Sequence, residues 1–305
     1  MGQNSQSASR SSFRNIGVIG RVDRSSVVES VRELVRVLDS RQVKIVLESQ
    51  TAAALEDPSW QVATRKMIGE ICDLVIVVGG DGSLLGAARD LARHDALVLG
   101  VNRGQLGFLT DIAPDNIAVE VNRVLDGAYI AEERFLLMMQ LYRDGAPIAE
   151  SNAFNDVVLH SGQAPKMLNF DLFIEGEFVY SQRSDGLIIA TPTGSTAYAL
   201  SGGGPIMHPR LNALAIVPMF PHTLTSRPLV LDAESEVKII IGDNNPSAPT
   251  VSCDGQVNSS ARPGDVIKIK KYRKKIKLVH PESHEFYATC RNKLGWGTQF
   301  VGGKQ

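Results

Sequence analysis

Residues Val75-Ile76-Val77-Val78-Gly79-Gly80-Asp81-Gly82-Ser83-Leu84-Leu85 set three glycines and a single carboxylate at the end of a run of β formers, just where an amphipathic helical pattern begins. A turn of that kind exposes main-chain N–H groups at the carboxyl edge of a sheet, and the dipole of the helix behind them favours an anion. Gly79, Gly80, Gly82 and Ser83 are therefore candidates for holding a phosphate. Asp81 does not fit simple cradling, because its charge repels a phosphate unless it accepts a proton, faces a hydroxyl or shares a metal ion. The pattern points to chemistry carried out beside a phosphate, with a structural loop closed by an Asx-turn as the other reading.

Two further constellations carry polar groups where apolar ones are expected. Asn155 and Asp156 stand between Phe154 and Val157-Val158-Leu159. A polar pair beside such a run needs partners or an exposed end, so it either grasps the hydroxyls of a ribose or marks an edge-strand bulge. In the stretch from Ser184 to Pro205, hydroxyls, small side chains and, after Gly186, four more glycines crowd around a hydrophobic strand and up to a proline. Close backbone approach with many small donors is how a nucleotide is wrapped, and a helical turn over Thr196 to Ser201 would offer further N–H groups to an anion.

Other chemistries are excluded by what is missing. The chain has no G-x-x-x-x-G-K-[ST], no protein-kinase signatures, and no G-x-G-x-x-G after its first strand, which removes the P-loop and the conventional dinucleotide hydride site. Ser195 lacks the G-x-S-x-G context of a hydrolase elbow. His280 and His284 stand four apart, but Pro281 lies between them and neither Cys nor a suitably spaced carboxylate completes a zinc set.

The elements that must position these residues follow from length and periodicity. At 305 residues the chain is long for one hydrophobic core, so two domains are expected. Strands are read over 13–19, 43–47, 74–78 and 96–101, with helices between them. The first of these carries Val27, Val28, Val31, Leu34, Val35 and Leu38 on its apolar face and a capping box from Ser26 to Glu29. From Tyr129 the texture changes to short β runs punctuated by Asp144-Gly145, Glu175-Gly176, Asp254-Gly255 and Pro263-Gly264. Residues 149–159 read as one such run. The expected fold is a Rossmann-like α/β N-terminal domain with an open parallel sheet, followed by an all-β, two-sheet C-terminal domain. Its limits are a disordered tail over 1–12, the α/β domain over 13–128, the β-rich domain over 129–280, and a segment over 281–305 that packs back on the first domain.

Charge and cysteine content bound the partners. With 32 basic and 33 acidic side chains and a net charge of -1, the chain carries no footprint for nucleic acid or membrane. The cluster Lys268, Lys270, Lys271, Arg273, Lys274, Lys275 and Lys277 alternates with Ile267, Ile269, Ile276 and Leu278 and reads as a strand pair with a basic solvent face. Cys72, Cys253 and Cys290 are too scattered for a disulfide framework, so the cytoplasm is the expected compartment. No apolar run reaches the roughly 18 residues of a membrane helix.

Taken together, these residues resemble the NAD kinase family, more closely its bacterial members. The resemblance runs through Gly79-Gly80-Asp81-Gly82-Ser83, Asn102-Arg103-Gly104-Gln105-Leu106-Gly107-Phe108, Asn155-Asp156, Asp185 to Pro205, Ser226-Arg227-Pro228-Leu229, Asp254-Gly255-Gln256 and Lys293-Leu294-Gly295-Trp296-Gly297. It implies transfer of the γ-phosphoryl of ATP to the 2′-hydroxyl of the adenosine ribose of NAD, giving NADP and ADP, with Asp81 as general base. By the same resemblance NAD lies against Gly82, Phe108, Asn155, Asp156, Lys166, Arg183, Asp185, Thr196, Ala197, Tyr198, Ala199, Leu200, Ser201 and Gln256. It further implies Mg²⁺ delivered with ATP, metal ligands unassigned, and a homodimer or homotetramer. Two positions depart from the family pattern: Ser83 stands where Thr is usual, and Asp156 where Glu is usual. The second leaves a carboxylate one methylene shorter, whose reach the backbone or a water must restore. A lipid or sugar-phosphate kinase sharing the Gly-Gly-Asp-Gly element, and an NAD-sensing module without catalysis, are the competing readings.

Overall fold

The computed structural model describes residues 13–21, 25–57, 59–103, 107–162, 166–245 and 248–296. The expected tail over 1–12, Pro58 and Gly104 to Leu106 lie outside them. The chain divides into two compact units, one running to Glu132 and resuming at Lys277, the other spanning Glu133–Ile276.

The first unit is an α/β layer structure. Its elements are β1 (Asn15–Gly20), α1 (Ser25–Ser40), β2 (Lys44–Glu48), α2 (Ser49–Leu55), β3 (Gln61–Ala63), α3 (Arg65–Ile71), β4 (Leu74–Val78), α4 (Asp81–Leu91), β5 (Leu97–Val101) and α5 (Ile117–Leu125). The strands pair in parallel in the order β3-β2-β1-β4-β5. All five residues of β4 are buried, which is why its sequence is continuously apolar rather than alternating. Val27, Val31, Leu34, Val35 and Leu38 turn the apolar stripe of α1 onto the sheet, where they join Ile16, Val18, Ile45, Leu47, Ile76 and Val78 in one core. Each such side chain contributes on the order of 1.5–3 kcal/mol by leaving water. The capping box is corrected: Ser25 is already helical, so Ser26 cannot hold the extended backbone of an N-cap. Among the described residues the side chains that cap helix N-termini are Glu48, accepting from the Thr51 N–H, and Thr64, accepting from the Met67 N–H.

Among the described residues the second unit is all β apart from a 3-10 turn over Gly194–Thr196 and one turn of α-helix. It continues β6 (Tyr129–Arg143) and adds β7 (Ala146–Ala153), β8 (Asp156–His160), β9 (Leu168–Ile174), β10 (Glu177–Ser184), β11 (Gly186–Ala190), α6 (Tyr198–Ser201), β12 (Ala213–Met219), β13 (Leu229–Asp232), β14 (Val237–Ile241), β15 (Thr250–Cys253), β16 (Val257–Ser260) and most of β17 (Val266–Pro281). One antiparallel sheet runs β13-β12-β11-β8-β15-β16, and β10-β9-β14-β17 with β6 and β7 form the other. Alternate residues of the first, Val157, Leu159, Leu187, Ile189, Leu214 and Ile216, pack against Leu137, Met139, Phe170, Leu172, Ile239 and Ile267 of the second. The opposite face of the first sheet is covered as well: Val158, Ile188, Ala190, Ala215 and Val217 pack with Ala199 from the glycine-rich stretch and Met207 just beyond it. That double burial accounts for the unbroken apolar run of β11.

Two strand readings are corrected. Residues 266–278 form one long strand rather than a pair, because no Gly, Pro or Asn interrupts the alternation of Ile267 and Ile269 with the lysines. Its final residues belong to the first unit, where Lys277, Leu278 and Val279 pair in parallel with Leu97, Val98 and Leu99. Residues 149–159 are two strands, broken at Phe154 and Asn155, and the break is part of the site. A further helix, α7 (Phe286–Leu294), follows β17.

Candidate functional site

In the first unit β4 delivers the chain to the Gly-Gly-Asp-Gly turn, and Asp81 occupies the first turn of α4. The turn is shaped by space: a Cβ on Gly79 would meet Ser83 Oγ at 2.4 Å, whereas nothing lies within 4 Å of one on Gly80. Gly80 and Gly82 are exposed, and the Gly80 carbonyl accepts from the Ser83 N–H at 2.9 Å. Ser83 therefore packs and closes the turn, while open room for a ligand lies over Gly80.

The charge of Asp81 is met by a neighbouring loop. Its carboxylate accepts from the Phe108 N–H at 2.8 Å, the Leu109 N–H at 3.2 Å and the Thr110 hydroxyl at 3.1 Å. Gly107 makes this approach feasible, since a Cβ there would stand 1.9 Å from Asp81 Oδ1. Thr110 is fully buried. Neither Thr110 nor the role of Gly107 is legible from spacing, because both lie more than twenty residues from Asp81 and become its neighbours only when β5 pairs with β4. Phe108 reaches Asp81 through its backbone; its side chain is half-buried.

In the second unit the break between β7 and β8 is held by Asp254. Its carboxylate accepts from the N–H groups of Phe154 at 3.0 Å, Asn155 at 2.7 Å and Asp156 at 3.3 Å. Thr191 secures the other side, its hydroxyl donating to the Phe154 carbonyl at 2.7 Å and its N–H to the Asn155 carbonyl at 2.8 Å. Gly194 must be glycine for the same reason: a Cβ there would sit 2.1 Å from the Asn155 carbonyl oxygen. The resulting turn borders a cavity of about 470 Å³, lined among others by Asn155, Asp156, His160, Asp185, Tyr198 and Asp254.

The cavity is electrostatically uneven. Burial, reinforced by the like charge of Asp254, raises the Asp156 carboxyl to about 7. Burial also lowers the His160 imidazole below its ordinary value. Asn155 Oδ1 is buried without a hydrogen-bond partner, an acceptor whose cost a ligand donor would relieve.

Of the sequence candidates in this unit, Asn155, Asp156, Asp185, Ala197 and Tyr198 line the cavity, whereas Lys166, Arg183, Thr196, Ala199, Leu200, Ser201 and Gln256 are not part of its lining. Ala199 is wholly buried in the sheet-covering core, and Lys166, Arg183 and Gln256 are exposed. Asp254 as the clamp of the turn and His160 in the wall are additions that spacing does not reveal.

The fold adds to the histidine pair a group that sequence spacing does not show. A carboxylate does join His280 and His284: Asp111, 169 residues from His280 in sequence, bonds His280 Nδ1 and lies 3.2 Å from His284 Nδ1. Burial alone would raise the Asp111 carboxyl, but the hydrogen bonds from the two imidazoles hold it well below the usual carboxylate range.

Comparison with known proteins follows the same two-part division. Residues 16–129 match the family model described as ATP-NAD kinase N-terminal domain, and residues 154–281 the one described as ATP-NAD kinase C-terminal domain. The NAD kinase of Marinobacter nauticus is 58% identical over 95% of this chain and 98% of its own length, and that of Pseudomonas fluorescens SBW25 is 55% identical over the same shares. Among solved structures, a yeast NADH kinase complexed with NADH superposes with a TM-score of 0.85 at 28% identity, covering 96% of this chain and 90% of that one. An NAD kinase from Archaeoglobus fulgidus in complex with ATP, at a TM-score of 0.72, 24% identity and coverage of 92% and 98%, shares the fold.

Proposed function

Because the chain belongs to the NAD kinase family, we propose that Asp81 is the group that takes the proton of the accepting hydroxyl. The reaction itself is ATP-dependent phosphorylation of NAD: the γ-phosphoryl group passes to the 2′-hydroxyl of the adenosine ribose, and NADP and ADP leave. The observation that carries the role of Asp81 is its hydrogen-bond count. An ionised carboxylate offers about four acceptor sites, and Phe108, Leu109 and Thr110 take three of them. Among the described residues no other donor takes the fourth, on a carboxylate whose orientation these three fix. That arrangement suits a base acting by position.

The same count bears on the divalent cation. Asp81 has little capacity left for a metal, and among the described residues no cluster of three metal-ligating side chains includes it. The residues do not fit a protein-held Mg²⁺ cage, so the cation is assigned to the ATP phosphates and enters as part of the substrate. Gly80 and Gly82, at the positive end of α4, are the proposed neighbours of the phosphates, with Gly79 and Ser83 shaping the turn.

NAD is assigned to the cavity of the second unit. The unpaired Asn155 Oδ1 and the Asp156 carboxylate are its proposed acceptors for ribose hydroxyls, with Asp185 and Tyr198 on the wall. Phe108, Lys166, Arg183, Thr196, Ala199, Leu200, Ser201 and Gln256 remain proposed contacts on the family resemblance alone. A homo-oligomer is likewise proposed. Its support is the exposure of Phe220, Leu224 and Val230 on the second unit, and light scattering of the purified chain tests it. No helix among the described residues is long and apolar enough to cross a membrane, and three free, buried cysteines favour the cytoplasm as the proposed compartment.

Asp81→Asn tests the central assignment. The amide keeps the shape of the side chain and loses the base, so kcat should fall by about 10²-fold or more while the dissociation constant for NAD stays within about threefold. A kcat within about threefold of the parent removes Asp81 from this role.

A further inference from the structure

We propose that Asp111, His280 and His284 form a binding site for a zinc-class divalent cation, built from residues that neither the Asp81 turn nor the NAD cavity uses. One ligand atom from each lies within 4.8 Å of the other two. Two imidazole nitrogens and a carboxylate oxygen are a donor set that favours zinc and its neighbours over magnesium or calcium, and three protein ligands leave a further position for water.

One ligand pair already has the spacing such an ion requires, while His280 Nδ1 bonds the Asp111 carboxylate directly and must part from it to admit the ion. Ligands at 2.0–2.1 Å around a tetrahedral centre stand roughly 3.3 Å apart, and His284 Nδ1 to Asp111 Oδ1 is 3.2 Å. Both histidines present the same nitrogen to the carboxylate. Their rings stack at 4.2 Å between centroids with planes 20° apart, held so by a turn in which the His284 N–H donates to the Pro281 carbonyl at 2.9 Å. His280 is almost wholly buried, and its Nε2 has no hydrogen-bond partner, so Nδ1 is the edge through which the ring is engaged. Asp111 is anchored just as firmly, because the next residue, Ile112, bridges to Val101 and accepts from the Asn102 N–H at 2.8 Å. His284 and Asp111 each keep a small exposed surface, which leaves an entry path.

An ion here ties the turn before α7 to the loop whose preceding residues, Phe108, Leu109 and Thr110, hold Asp81. Occupancy would therefore stiffen the support of Asp81 without contacting it.

The test is titration of chelator-stripped full-length protein with Co²⁺, followed by competition. One equivalent per chain should give the visible absorption of a low-symmetry cobalt site. Zn²⁺ should abolish it and excess Mg²⁺ should not. His284→Gln and Asp111→Asn should each weaken Co²⁺ binding by more than about tenfold, since even changes outside the ligand shell cost about 10- to 100-fold, whereas Asp81→Asn should bind as the parent does. His284 sits on a partly exposed turn, so its variant carries the test alone if Asp111→Asn fails to fold by circular dichroism. No stoichiometric band in the parent, or a band that His284→Gln keeps, overturns the site and leaves the trio as a proton-bridged contact.

Discussion

Replacing Asp156 with Asn should remove a pH dependence of stability that the wild-type second unit carries. In the folded chain the carboxyl is raised to about 7, first by burial and then by the charge of Asp254, from an ordinary value of 3.8. The folded state thus binds a proton across a window in which the unfolded chain has released it. Stability is therefore greatest at the acid end and falls as pH rises through the window, by about 1.4 kcal/mol per pH unit and about 4 kcal/mol over the whole of it. Above about 7 both states are ionised and the penalty is constant. Asn titrates in neither state. The stability of the Asn variant relative to wild type should consequently rise from pH 5 to pH 7 and then level off, with a gain of several degrees in the melting transition, at roughly 2–4 °C per kcal/mol for a unit of this order. Thermal melts of both proteins at half-unit intervals from pH 5 to pH 8.5 measure it. NAD adds a second arm: hydroxyl donors favour the ionised carboxylate, so wild type should release protons on binding NAD near pH 6.5, detected by calorimetry in buffers of different ionisation enthalpy, and the variant should not. A flat stability difference across the range would refute the assignment of the raised carboxyl to Asp156.

Three substitutions probe the supports of the Asp81 turn and of the second-unit cavity. Gly107→Ala drives a Cβ into the Asp81 carboxylate, so kcat should fall at least about tenfold with a loss of only about 1–3 kcal/mol in stability; steady-state kinetics beside a urea melt separate the two. Gly194→Ala pushes on the Asn155 carbonyl, and the Michaelis constant for NAD should rise more than kcat falls. Asp254→Ala strips the acceptor from three backbone N–H groups, for which about 2–4 kcal/mol is expected at about 1–3 kcal/mol per buried group with partial rehydration; hydrogen exchange should show faster amides at 154–156 than in wild type.

What was legible in the sequence divides along a physical line. Elements whose evidence is local were read with little error: β4 from five consecutive apolar residues, β2 and β5 from their short apolar runs, and α1 from its apolar stripe. The Asp81 turn and the Asn155-Asp156 pair stood out for the same reason, being polar groups set against apolar neighbours. What spacing could not supply was any relation created by strand pairing. Asp111 belongs with His280 only because β5 and β17 run side by side, and Asp254 clamps Asn155 only because β15 pairs with β8. Where a local rule was applied too strictly it failed. Ser26 and Glu29 have the types and spacing of a capping box, yet the buried stripe of α1 carries the helix past them, since tertiary burial of six residues outweighs one cap.

The unexplained charge in the glycine turn shows how the two kinds of information combine. Sequence alone left a proton, a hydroxyl or a metal ion as the partner of Asp81, and each demands a different occupancy of the carboxylate. A metal-ligating aspartate needs its oxygens turned outward with few competing donors, whereas here three donors from one loop converge on them. What those donors give the site is a fixed orientation of the carboxylate. Phosphoryl transfer through a loose transition state asks little of a base in strength and much in placement. A carboxylate held by three donors, at the N-terminus of a helix and beside a glycine with open space above it, is consistent with the base proposed for it.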